Sequence, residues 1–371
     1  MILHITNDYS GSSVYKNLFK ELDSLSIAQI VYHPLRDIQR VNKNKIQLVT
    51  KGSEIIYSHI LNKRLDRFFY KRKINKIVTD IERKVDLSKI TFIHAHTWFS
   101  DGGVAYLLSL KYKIPYLIAI RNTDLSVHYK YLVHFHNFGF KILKNSKKIV
   151  LIGAYQKEFF KLKNLLDLKI ENKLMIIPNG VDPYWIENSN NFKRKEVNLS
   201  FNFLYVGSFI ERKNVYELQN AIIKLYKHHH INCKLHIVGG GGAKTELISN
   251  NIKDYPNLFE YYGKINNKTK LRRVYEKCHV FTMPSINETF GLVYIEALLQ
   301  GLPVLYTKSQ GIDGFYEERI GEKVKSNEVN EIKQRLLTLI ENYNSYKIPT
   351  NNILRNHDWK NIATIYKNIY N

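Results

Sequence analysis

The chain has 371 residues, of which 44% are hydrophobic and 24% charged, and its 56 lysines and arginines against 33 acidic residues give a net charge of +23. This composition excludes an intrinsically disordered chain, and the length suffices for two domains of ordinary size. No apolar run approaches the roughly 20 residues that span a bilayer, the first residues read as a strand rather than a secretory signal, and Cys233 and Cys278 form neither a metal-ligand spacing nor a disulfide framework. We expect a globular, cytoplasmic protein.

Short apolar runs alternate with helical segments through the first half of the chain. Such alternation predicts a parallel sheet with helices on both faces. The strand-like runs are Ile2–Thr6, Ile27–His33, Thr91–His94, Tyr116–Ile120, Ile149–Ile152 and Leu174–Ile177. The segments with helical spacing include Val14–Leu22, Gly102–Leu110 and Phe135–Leu143.

The second half repeats this alternation and therefore predicts a second α/β sheet. The strand-like runs are Phe203–Val206, Lys234–Val238, Leu258–Tyr261, Val280–Met283 and Val304–Thr307. The helical segments include Val215–Tyr226, Leu271–Lys277, Leu292–Leu299 and, at the end of the chain, Trp359–Tyr370.

The boundary between the halves falls near residues 178–200. Turn-forming residues from Pro178 to Pro183 precede a polar stretch, so we predict a linker over about 181–197. The N-terminal domain would then span 1–180 and the C-terminal domain 198–356. A long surface loop inside a single domain is the alternative.

The positive charge is concentrated in the first half. Residues 1–200 hold 33 basic and 17 acidic residues, a net +16, whereas residues 201–371 hold 23 and 16, a net +7. Within the first half, the segment 63–76 mixes cations with Phe68, Phe69 and Tyr70. If helical, it forms a basic amphipathic surface of the kind that rests on anionic lipid. A surface helix whose aromatic rings pack inward remains an equal alternative.

The most informative segment, Pro284–Ala297, follows a strand and opens a helix near Gly291. Glu288 lies in the loop before the helix and Glu296 inside it, so at about 1.5 Å per residue their carboxylates are roughly 10 Å apart. That matches the reach from sugar to ribose in a nucleotide sugar. Backbone amides around Phe290–Leu292 lie between them, where a helix dipole would stabilise a diphosphate. Two surface glutamates near a helix start would give the same spacing.

This segment resembles the E-x7-E signature of the retaining glycosyltransferases of family 4, which have the GT-B fold. The resemblance covers nearly the whole chain and is strongest from Ile177 to Gly314. It implies two Rossmann-like α/β domains with parallel sheets facing across a cleft, the second binding the nucleotide sugar, and a last helix, about 357–371, packed on the first. The other segments similar to family motifs are Pro178–Asp182, Tyr205–Asn214, Leu235–Gly242 and Gly263–Ile265.

The resemblance implies a role for each motif residue. Glu288 would contact the donor-sugar hydroxyls and Glu296 the ribose hydroxyls. Lys213, with Arg212, would neutralise the leaving diphosphate, because fixed cations stabilise the negative charge that develops there. A solvated basic pair is the alternative interpretation of these two cations. The remaining predicted donor-binding residues are Gly11, Ser12, Gly207, Ser208, Gly239, Ile265, Thr289, Phe290, Gly291 and Leu292.

The first half is less similar to the family. The loop Asp8–Val14 is predicted to face the donor phosphate, although it carries Gly11-Ser12 where members often have paired glycines. His96 follows a segment that resembles the third strand of the family fold. We predict that it either lines the acceptor side of the cleft or is a buried histidine with its hydrogen bonds satisfied.

At two positions the chain differs from the family in whether an arginine is present. Arg121 stands where many members carry a histidine three residues before an aspartate, here Asp124, on the acceptor side. Ser208 stands where many members carry an arginine that binds the diphosphate. We hypothesise that Arg121 supplies part of the missing positive charge from across the cleft.

The sequence predicts no metal site and no cofactor beyond the nucleotide sugar as co-substrate. No Asp-x-Asp motif follows a strand, so the metal-bridged diphosphate site of the other large glycosyltransferase fold has no candidate. The run His228–His230 cannot converge on one ion, because consecutive helical residues point about 100° apart.

Three classes of function are in competition. A GT-B sugar-nucleotide epimerase or phosphorylase would keep the fold, but the second-half motifs resemble family 4 more closely. A nucleic-acid-binding protein would explain the charge, but outside 63–76 no binding module or aromatic basic groove is present, so we expect no nucleic-acid partner. The favoured interpretation is a retaining, metal-independent glycosyltransferase. It would use a UDP sugar, the commonest donor in the family, and a cell-envelope or lipid-linked acceptor at the inner face of the membrane.

Overall fold

The computed structural model describes residues 1–189, 195–197, 200–325 and 328–371. The chain divides into two compact units. Unit 1 comprises Met1–Ile152, Gln156–Gly180 and Asn356–Asn371, and unit 2 comprises Gly153–Tyr155 and Val181–Arg355. Each unit contains one parallel sheet with helices, as the alternation of apolar runs predicts.

In the described residues of unit 1, seven parallel strands form one sheet in the order β3-β2-β1-β4-β5-β6-β7. The central strands are buried on both faces, which explains why they read as continuous apolar runs. The strands are β1 (Ile2–Ile5), β2 (Gln29–Pro34), β3 (Glu54–Ser58), β4 (Phe92–Ala95), β5 (Tyr116–Ile120), β6 (Lys148–Leu151) and β7 (Leu174–Ile176).

Helices cover both faces of the unit 1 sheet. The C-terminal helix, Trp359–Tyr370, packs against α1 on one face, where Trp359, Ile362 and Tyr366 are buried at helical spacing. Helices α3 and α4 contribute to the apolar core on the other face. The helices are α1 (Ser13–Ser24), α2 (Leu65–Phe68), α3 (Tyr70–Lys84), α4 (Ser100–Tyr112), α5 (His136–Asn145), α6 (Tyr155–Leu162) and α7 (Leu168–Glu171).

Unit 2 contains, among its described residues, a six-stranded parallel sheet in the order β10-β9-β8-β11-β12-β13. The strands are β8 (Phe201–Gly207), β9 (Cys233–Gly239), β10 (Phe259–Tyr261), β11 (Val280–Thr282), β12 (Val304–Thr307) and β13 (Gly321–Val324). The helices are α8 (Pro183–Glu187), α9 (Val215–His229), α10 (Thr245–Asp254), α11 (Lys268–Lys277), α12 (Leu292–Leu299), α13 (Val329–Glu341) and α14 (Thr350–His357).

This topology brings the motif segments of unit 2 to one edge of its sheet. Because all six strands are parallel, the loops after β8, β9, β10 and β11 leave the sheet at the same end. Ligands of open α/β sheets bind outside this carboxyl edge. The fold therefore brings together the loops of Lys213 and Glu288, which are 75 residues apart in sequence.

The predicted linker, 181–197, contains folded structure. Its first part forms helix α8, whose Trp185 is buried in the core of unit 2. The Asp182 side chain caps this helix by accepting a hydrogen bond from the Tyr184 amide at 3.0 Å. Residues 190–194 of the predicted linker, and the predicted domain start at 198, lie outside the described residues.

Candidate active site

Two loops of unit 2 bring a lysine and a glutamate into contact. The Lys213 ammonium nitrogen lies 2.5 Å from Glu288 Oε2, and an Arg212 nitrogen lies 3.5 Å from the same oxygen. Lys213 ends a short 3-10 turn after β8, and Asn214 follows it in the left-handed conformation at φ 57°. Asparagine tolerates that conformation better than most residues, so the turn is held where the ammonium meets the carboxylate.

Backbone and side-chain hydrogen bonds fix Glu288 in place. Its side chain is largely buried, and one carboxylate oxygen accepts a hydrogen bond from the Ser285 hydroxyl at 3.1 Å. The Glu288 amide donates to Gln310 Oε1 at 3.0 Å, and the Gly311 amide donates to the Glu288 carbonyl at 3.2 Å. The carboxylate therefore has a defined position before any ligand binds.

The loop carrying Glu288 is fastened to the loop carrying Arg212. The Ile286 amide donates to the Arg212 carbonyl at 2.6 Å, and the Ser285 hydroxyl oxygen lies 3.1 Å from the same carbonyl oxygen. The relative positions of Lys213 and Glu288 are thus set by backbone contacts as well as by their own ion pair.

Helix α12 begins beside this ion pair. Gly291 precedes it with φ +75°, and a Cβ there would lie 2.6 Å from the Tyr294 ring, so only glycine fits. The first amides of a helix have no partner inside it and carry the positive end of its dipole. The amino end of α12, at Gly291 and Leu292, therefore adds donors for an anion near Lys213, whereas the Thr289 amide already donates to Glu288 Oε1 at 3.2 Å.

Glu296 lies one turn into α12, in a different environment from Glu288. Its carboxylate accepts a hydrogen bond from the Tyr275 hydroxyl at 3.4 Å. Burial raises the pKa of Glu296 to about 7, an effect that Asp182 adds to and that the ammonium of Lys268 and hydrogen bonds from Tyr275 and Trp185 oppose. The carboxylate of Glu296 can accept hydrogen bonds from hydroxyl groups, but burial destabilises its charged form.

The glycine loop after β9 packs closely on the loop after β8. Gly239 has φ +137°, and a Cβ there would lie 1.7 Å from the Gly207 carbonyl oxygen, so no other residue fits. The Phe209 amide donates to the Gly241 carbonyl at 2.8 Å. The predicted donor residues Gly207, Ser208 and Gly239 thus belong to one contiguous surface at the carboxyl edge.

A basic pocket of about 540 Å³ lies beside Ile265, the residue predicted to contact the base. Neither Lys213, Glu288 nor Glu296 lines it, so it is separate from the ion pair. Four cations make it suited to an anionic group. The lining residues are Tyr262, Lys264, Ile265, Asn266, Asn267, Lys270, Arg273, Val274 and Lys277.

In unit 1, the predicted loop Asp8–Val14 folds tightly on itself. A Cβ on Gly11 would lie 2.1 Å from Asp8 Oδ1, which explains the glycine. The Ser12 hydroxyl accepts a hydrogen bond from the Val14 amide at 3.3 Å and caps α1. Burial raises the pKa of Asp8, while Arg40 and Arg121 lower it. Both predicted residues have a role within the loop.

Two of the three predicted acceptor residues of unit 1 are buried. His96 and Asp124 are fully buried. Asp124 accepts hydrogen bonds from the amides of Trp98, Phe99 and Arg121 at 3.0, 3.2 and 2.9 Å. Burial also keeps the pKa of His96 well below its ordinary value. His96 is buried, but its Nδ1 has no hydrogen-bond partner among the described residues, and Asp124 acts as a capping group.

Arg121 alone of these three keeps some exposed surface. Its Nε donates to the His96 carbonyl at 3.1 Å, and another guanidinium nitrogen donates to Asn179 Oδ1 at 3.0 Å. The guanidinium also lies over the Tyr15 ring, 5.4 Å from its centroid. Its charge is thus held in a fixed place within unit 1.

Sequence reasoning missed three residues that shape the unit 2 site. Gln310 and Ser285 hold Glu288, and Tyr275 contacts Glu296. Gln310 follows β12, so its place at the carboxyl edge was a usable signal. Ser285 lies within the motif segment itself. Tyr275 lies on α11, and nothing in the sequence connects it with Glu296.

Known proteins share parts of this sequence. Residues 187–355, which lie in unit 2, match the family model described as glycosyl transferases group 1. An uncharacterized glycosyltransferase of Methanocaldococcus jannaschii is 29% identical over 264 residues, 70% of this chain and 68% of the relative. A putative teichuronic acid biosynthesis glycosyltransferase of Bacillus subtilis is 26% identical over 256 residues, 66% of this chain and 60% of the relative. The alpha-monoglucosyldiacylglycerol synthase of Acholeplasma laidlawii is 24% identical over 257 residues, 64% and 63% respectively.

Solved structures share the fold. Sucrose-phosphate synthase from Thermosynechococcus elongatus has a TM-score of 0.71 at 18% identity, covering 100% of this chain and 98% of that one. The Anabaena HepE protein in complex with UDP and glucose has a TM-score of 0.64 at 13% identity, covering 99% and 98%. These neighbours confirm the GT-B fold class. Together, the match over unit 2, the relatives and the fold support a GT-B glycosyltransferase.

Proposed function

We propose that the protein is a retaining glycosyltransferase that moves a sugar from a nucleotide-diphosphate sugar, with UDP favoured, to a cell-envelope or lipid-linked glycan. The observation that carries the proposal is the contact between Lys213 and Glu288 at the amino end of α12. It joins a cation for a leaving phosphate to a carboxylate for sugar hydroxyls. The resemblance to family 4 supports the retention of configuration.

The ion pair accounts for how the donor would be received. A diphosphate oxygen would compete with Glu288 for the Lys213 ammonium, and Arg212 lies close enough to share the new charge. Glu288 would then be free to accept hydrogen bonds from sugar hydroxyls, because Ser285 and the backbone keep it in place. As the sugar–phosphate bond breaks, its electron pair passes to the phosphate oxygen beside these cations, while an acceptor hydroxyl forms the new bond to the sugar and gives its proton to the departing diphosphate.

The second carboxylate accounts for the other end of the donor. Glu296 lies one turn into α12, whereas Glu288 lies in the loop before that helix. The Glu296 side chain is partly buried beside Tyr275. A carboxylate accepts two hydroxyl hydrogen bonds, as a ribose diol offers. The preference for UDP rests on its frequency in the family and on the Anabaena neighbour, which was solved with UDP. The proposed reaction needs no metal ion and no further cofactor at the donor site.

A donor panel tests this function. We expect UDP, or a UDP sugar, to raise the melting temperature of the wild-type protein by several degrees at saturating concentration, with GDP and ADP sugars less effective. Lys213→Ala should abolish most of that rise. Lys227→Ala, a substitution at an exposed lysine on α9, is the matched control and should leave it unchanged. A melting temperature that none of the three nucleotide families raises would overturn the donor assignment.

Unit 1 offers a surface for a lipid-linked acceptor. Helices α2 and α3 meet at Phe69, and Phe68 and Phe69 are 78% and 57% exposed. Lys71 and Arg72 are exposed next to them. An apolar pair flanked by cations suits the interface of an anionic bilayer. We include peripheral binding to the inner face of the cell membrane in the proposal.

The structure corrects one part of the basic segment. Lys73 is buried, and its ammonium donates to the Ser100 hydroxyl. Burial lowers the pKa of Lys73 to about 8. Tyr70 is also buried, and its ring packs 4.7 Å from the Phe135 centroid. The segment is therefore a mixture of both alternatives, with Phe68 and Phe69 outward and Tyr70 inward.

Vesicle sedimentation tests the membrane surface. We expect the wild-type protein to sediment with phosphatidylcholine vesicles that contain phosphatidylglycerol, and much less with phosphatidylcholine alone. Lys71→Glu/Arg72→Glu should reduce the bound fraction several-fold. Lys227→Glu/Lys253→Glu changes the net charge equally on unit 2 and should retain binding. Equal binding of both double variants would reject the surface. None of the helices in the described residues has the length and apolar character needed to span a bilayer.

A further inference from the structure

Three histidines meet inside unit 1. His4 lies on β1 directly opposite His94 on β4, and His96 follows two residues later on the same face. All three side chains are fully buried. One nitrogen from each ring can be chosen so that the three lie within 4.8 Å of one another.

Each of these rings has one nitrogen in use and one without a partner. His4 Nδ1 lies 3.1 Å from His96 Nε2, and His94 Nδ1 lies 2.8 Å from the Tyr370 hydroxyl. Within the described part of the chain, His4 Nε2, His94 Nε2 and His96 Nδ1 have no hydrogen-bond partner. Buried polar atoms without partners are costly and uncommon, and a bound ion is one of the causes. Three of them in one cluster need an explanation.

We propose that His4, His94 and His96 together bind one transition-metal dication, with Zn²⁺ preferred. Three imidazoles are an established zinc ligand set. At zinc–nitrogen distances of about 2.0–2.1 Å, two ligands of a tetrahedral ion lie roughly 3.3 Å apart, so the ring nitrogens of the cluster, which lie within 4.8 Å of one another, would close by up to about 1.5 Å on binding. Burial keeps imidazoles neutral, the state that offers a lone pair. A small ligand such as water completes the coordination.

Surrounding groups fit a structural metal site. The Tyr370 hydroxyl holds His94 through Nδ1, so Nε2 is left to face the cluster, as an outer partner does for many metal-bound histidines. Tyr370 belongs to the C-terminal helix, whereas the histidines belong to the sheet. A bound ion would therefore strengthen the attachment of that helix to β4. The site would act on the stability of unit 1 and not on the chemistry at Lys213.

The wild-type protein provides the first test. After removal of metals with a chelator and addition of ZnCl₂, gel filtration and elemental analysis should find about one Zn²⁺ retained per chain. The melting temperature should rise by several degrees over the metal-free protein. Replacement of Zn²⁺ by Co²⁺ should give the intense visible absorption of a tetrahedral ion. A chain that retains no Zn²⁺ and shows no such Co²⁺ spectrum would overturn the proposal.

A variant with two controls identifies the site. His94→Asn keeps a polar atom near the position of Nδ1, which faces Tyr370, and removes Nε2. It should weaken Zn²⁺ binding by at least about 100-fold. His33→Asn replaces another buried histidine, whose two nitrogens already face the Thr6 carbonyl and the Ser10 hydroxyl, and should retain the metal. The triple substitution His228→Gln/His229→Gln/His230→Gln removes the exposed run and should also retain it.

The outcomes separate the alternatives. Loss of Zn²⁺ in the triple variant would assign the binding to the surface run and reject the cluster. If His94→Asn binds Zn²⁺ with wild-type affinity, His94 is not a ligand and the proposed site is rejected. If His94→Asn does not fold, the Co²⁺ spectrum of the wild-type protein decides the question. Because donor binding is measured separately, failure here leaves the proposed transferase function untouched.

Discussion

The motif residues of unit 2 and those of unit 1 have different kinds of partners. In unit 2, Lys213 and Arg212 are both paired with the carboxylate of Glu288. In unit 1, Asp124 is bonded to three backbone amides and His96 has no exposed surface. A side-chain ion pair can exchange a partner for a ligand at little cost. A carboxylate that holds backbone amides cannot do so without releasing the loop.

This difference separates two uses of a motif. The unit 2 residues are positioned so that a phosphate could replace Glu288 beside Lys213, while Ser285 and Gln310 still hold the glutamate loop. The unit 1 residues maintain the turn between Trp98 and Arg121. Resemblance in sequence treats both groups alike, because it records which residues recur and not what they contact. If this difference is general, substitutions in the first group should reduce ligand binding and turnover, and substitutions in the second should reduce stability.

The largest expected effect is the loss of Lys213. Lys213→Ala should lower kcat about 1,000-fold, or roughly 4 kcal/mol, because the leaving phosphate loses its nearest fixed cation. Its melting temperature should change little, since Arg212 and Ser285 still contact Glu288. Steady-state kinetics with a UDP sugar measures this, with Lys227→Ala as the control. A loss smaller than tenfold would place the ion pair outside the reaction.

Loss of Asp124 should act on stability instead. Asp124→Ala removes three charge-assisted hydrogen bonds to buried amides and should lower the free energy of unfolding by about 3 kcal/mol. Urea unfolding measures it. Asp167→Ala, at the half-buried cap of α7, should cost less. If Asp124→Ala keeps its stability but loses turnover, the division drawn above between the two units fails.

Much of the fold was predictable because parallel strands buried on both faces leave unbroken apolar runs. Tyr116–Ile120, Val304–Thr307 and the helix Leu292–Leu299 have the bounds that the pattern predicts. The pattern predicts neither β3 nor β13. Two of the four residues of β13, Glu322 and Lys323, are charged, so its sequence does not read as a strand. Glu322 is nevertheless buried, because Arg319, Arg335 and Tyr346 surround its carboxylate.

The candidate site was predictable where residues are close in sequence or follow neighbouring strands. Glu288 and Glu296 share one segment, and the loop of Lys213 follows β8, which neighbours β11. The histidine cluster was not predictable, because His4 and His94 are 90 residues apart and meet only through the pairing of β1 with β4. The burial of Lys73 could not be predicted either, since its neighbours Lys71 and Arg72 are exposed. Which face of a short helix packs inward depends on tertiary contacts.

Glu296 gives a pH-dependent test within unit 2. Its carboxyl keeps a proton in the folded state up to a pKa of about 7, whereas the unfolded chain releases it near 4.5. Stability therefore falls as pH rises through this window. Glu296→Gln removes the penalty and should raise the free energy of unfolding by about 2 kcal/mol at pH 8, with little change at pH 4. Urea unfolding at both pH values measures it.

The same substitution should weaken the donor. Glu296→Gln should raise the KM for the UDP sugar several-fold at pH 8, because a neutral amide accepts ribose hydroxyls less well than a carboxylate. Gain of stability with loss of affinity is the mark of a ligand-binding group. Tyr275→Phe, which removes only the hydrogen bond to Glu296, is the control and should change the KM less. A Glu296→Gln variant with unchanged KM would make the glutamate structural.

The smallest expected effect concerns Arg121, which has features of both groups. Two of its guanidinium bonds go to the His96 carbonyl and to Asn179, as a structural residue's would. It also keeps exposed surface and a charge that those neutral partners do not cancel. If that charge assists donor binding, Arg121→Ala should raise the donor KM about fivefold, or roughly 1 kcal/mol. Arg121→Lys, which restores the charge without the paired hydrogen bonds, should recover most of the affinity but not the melting temperature. If both variants lower the melting temperature and neither changes KM or turnover, Arg121 joins Asp124 as a residue that only holds the loop.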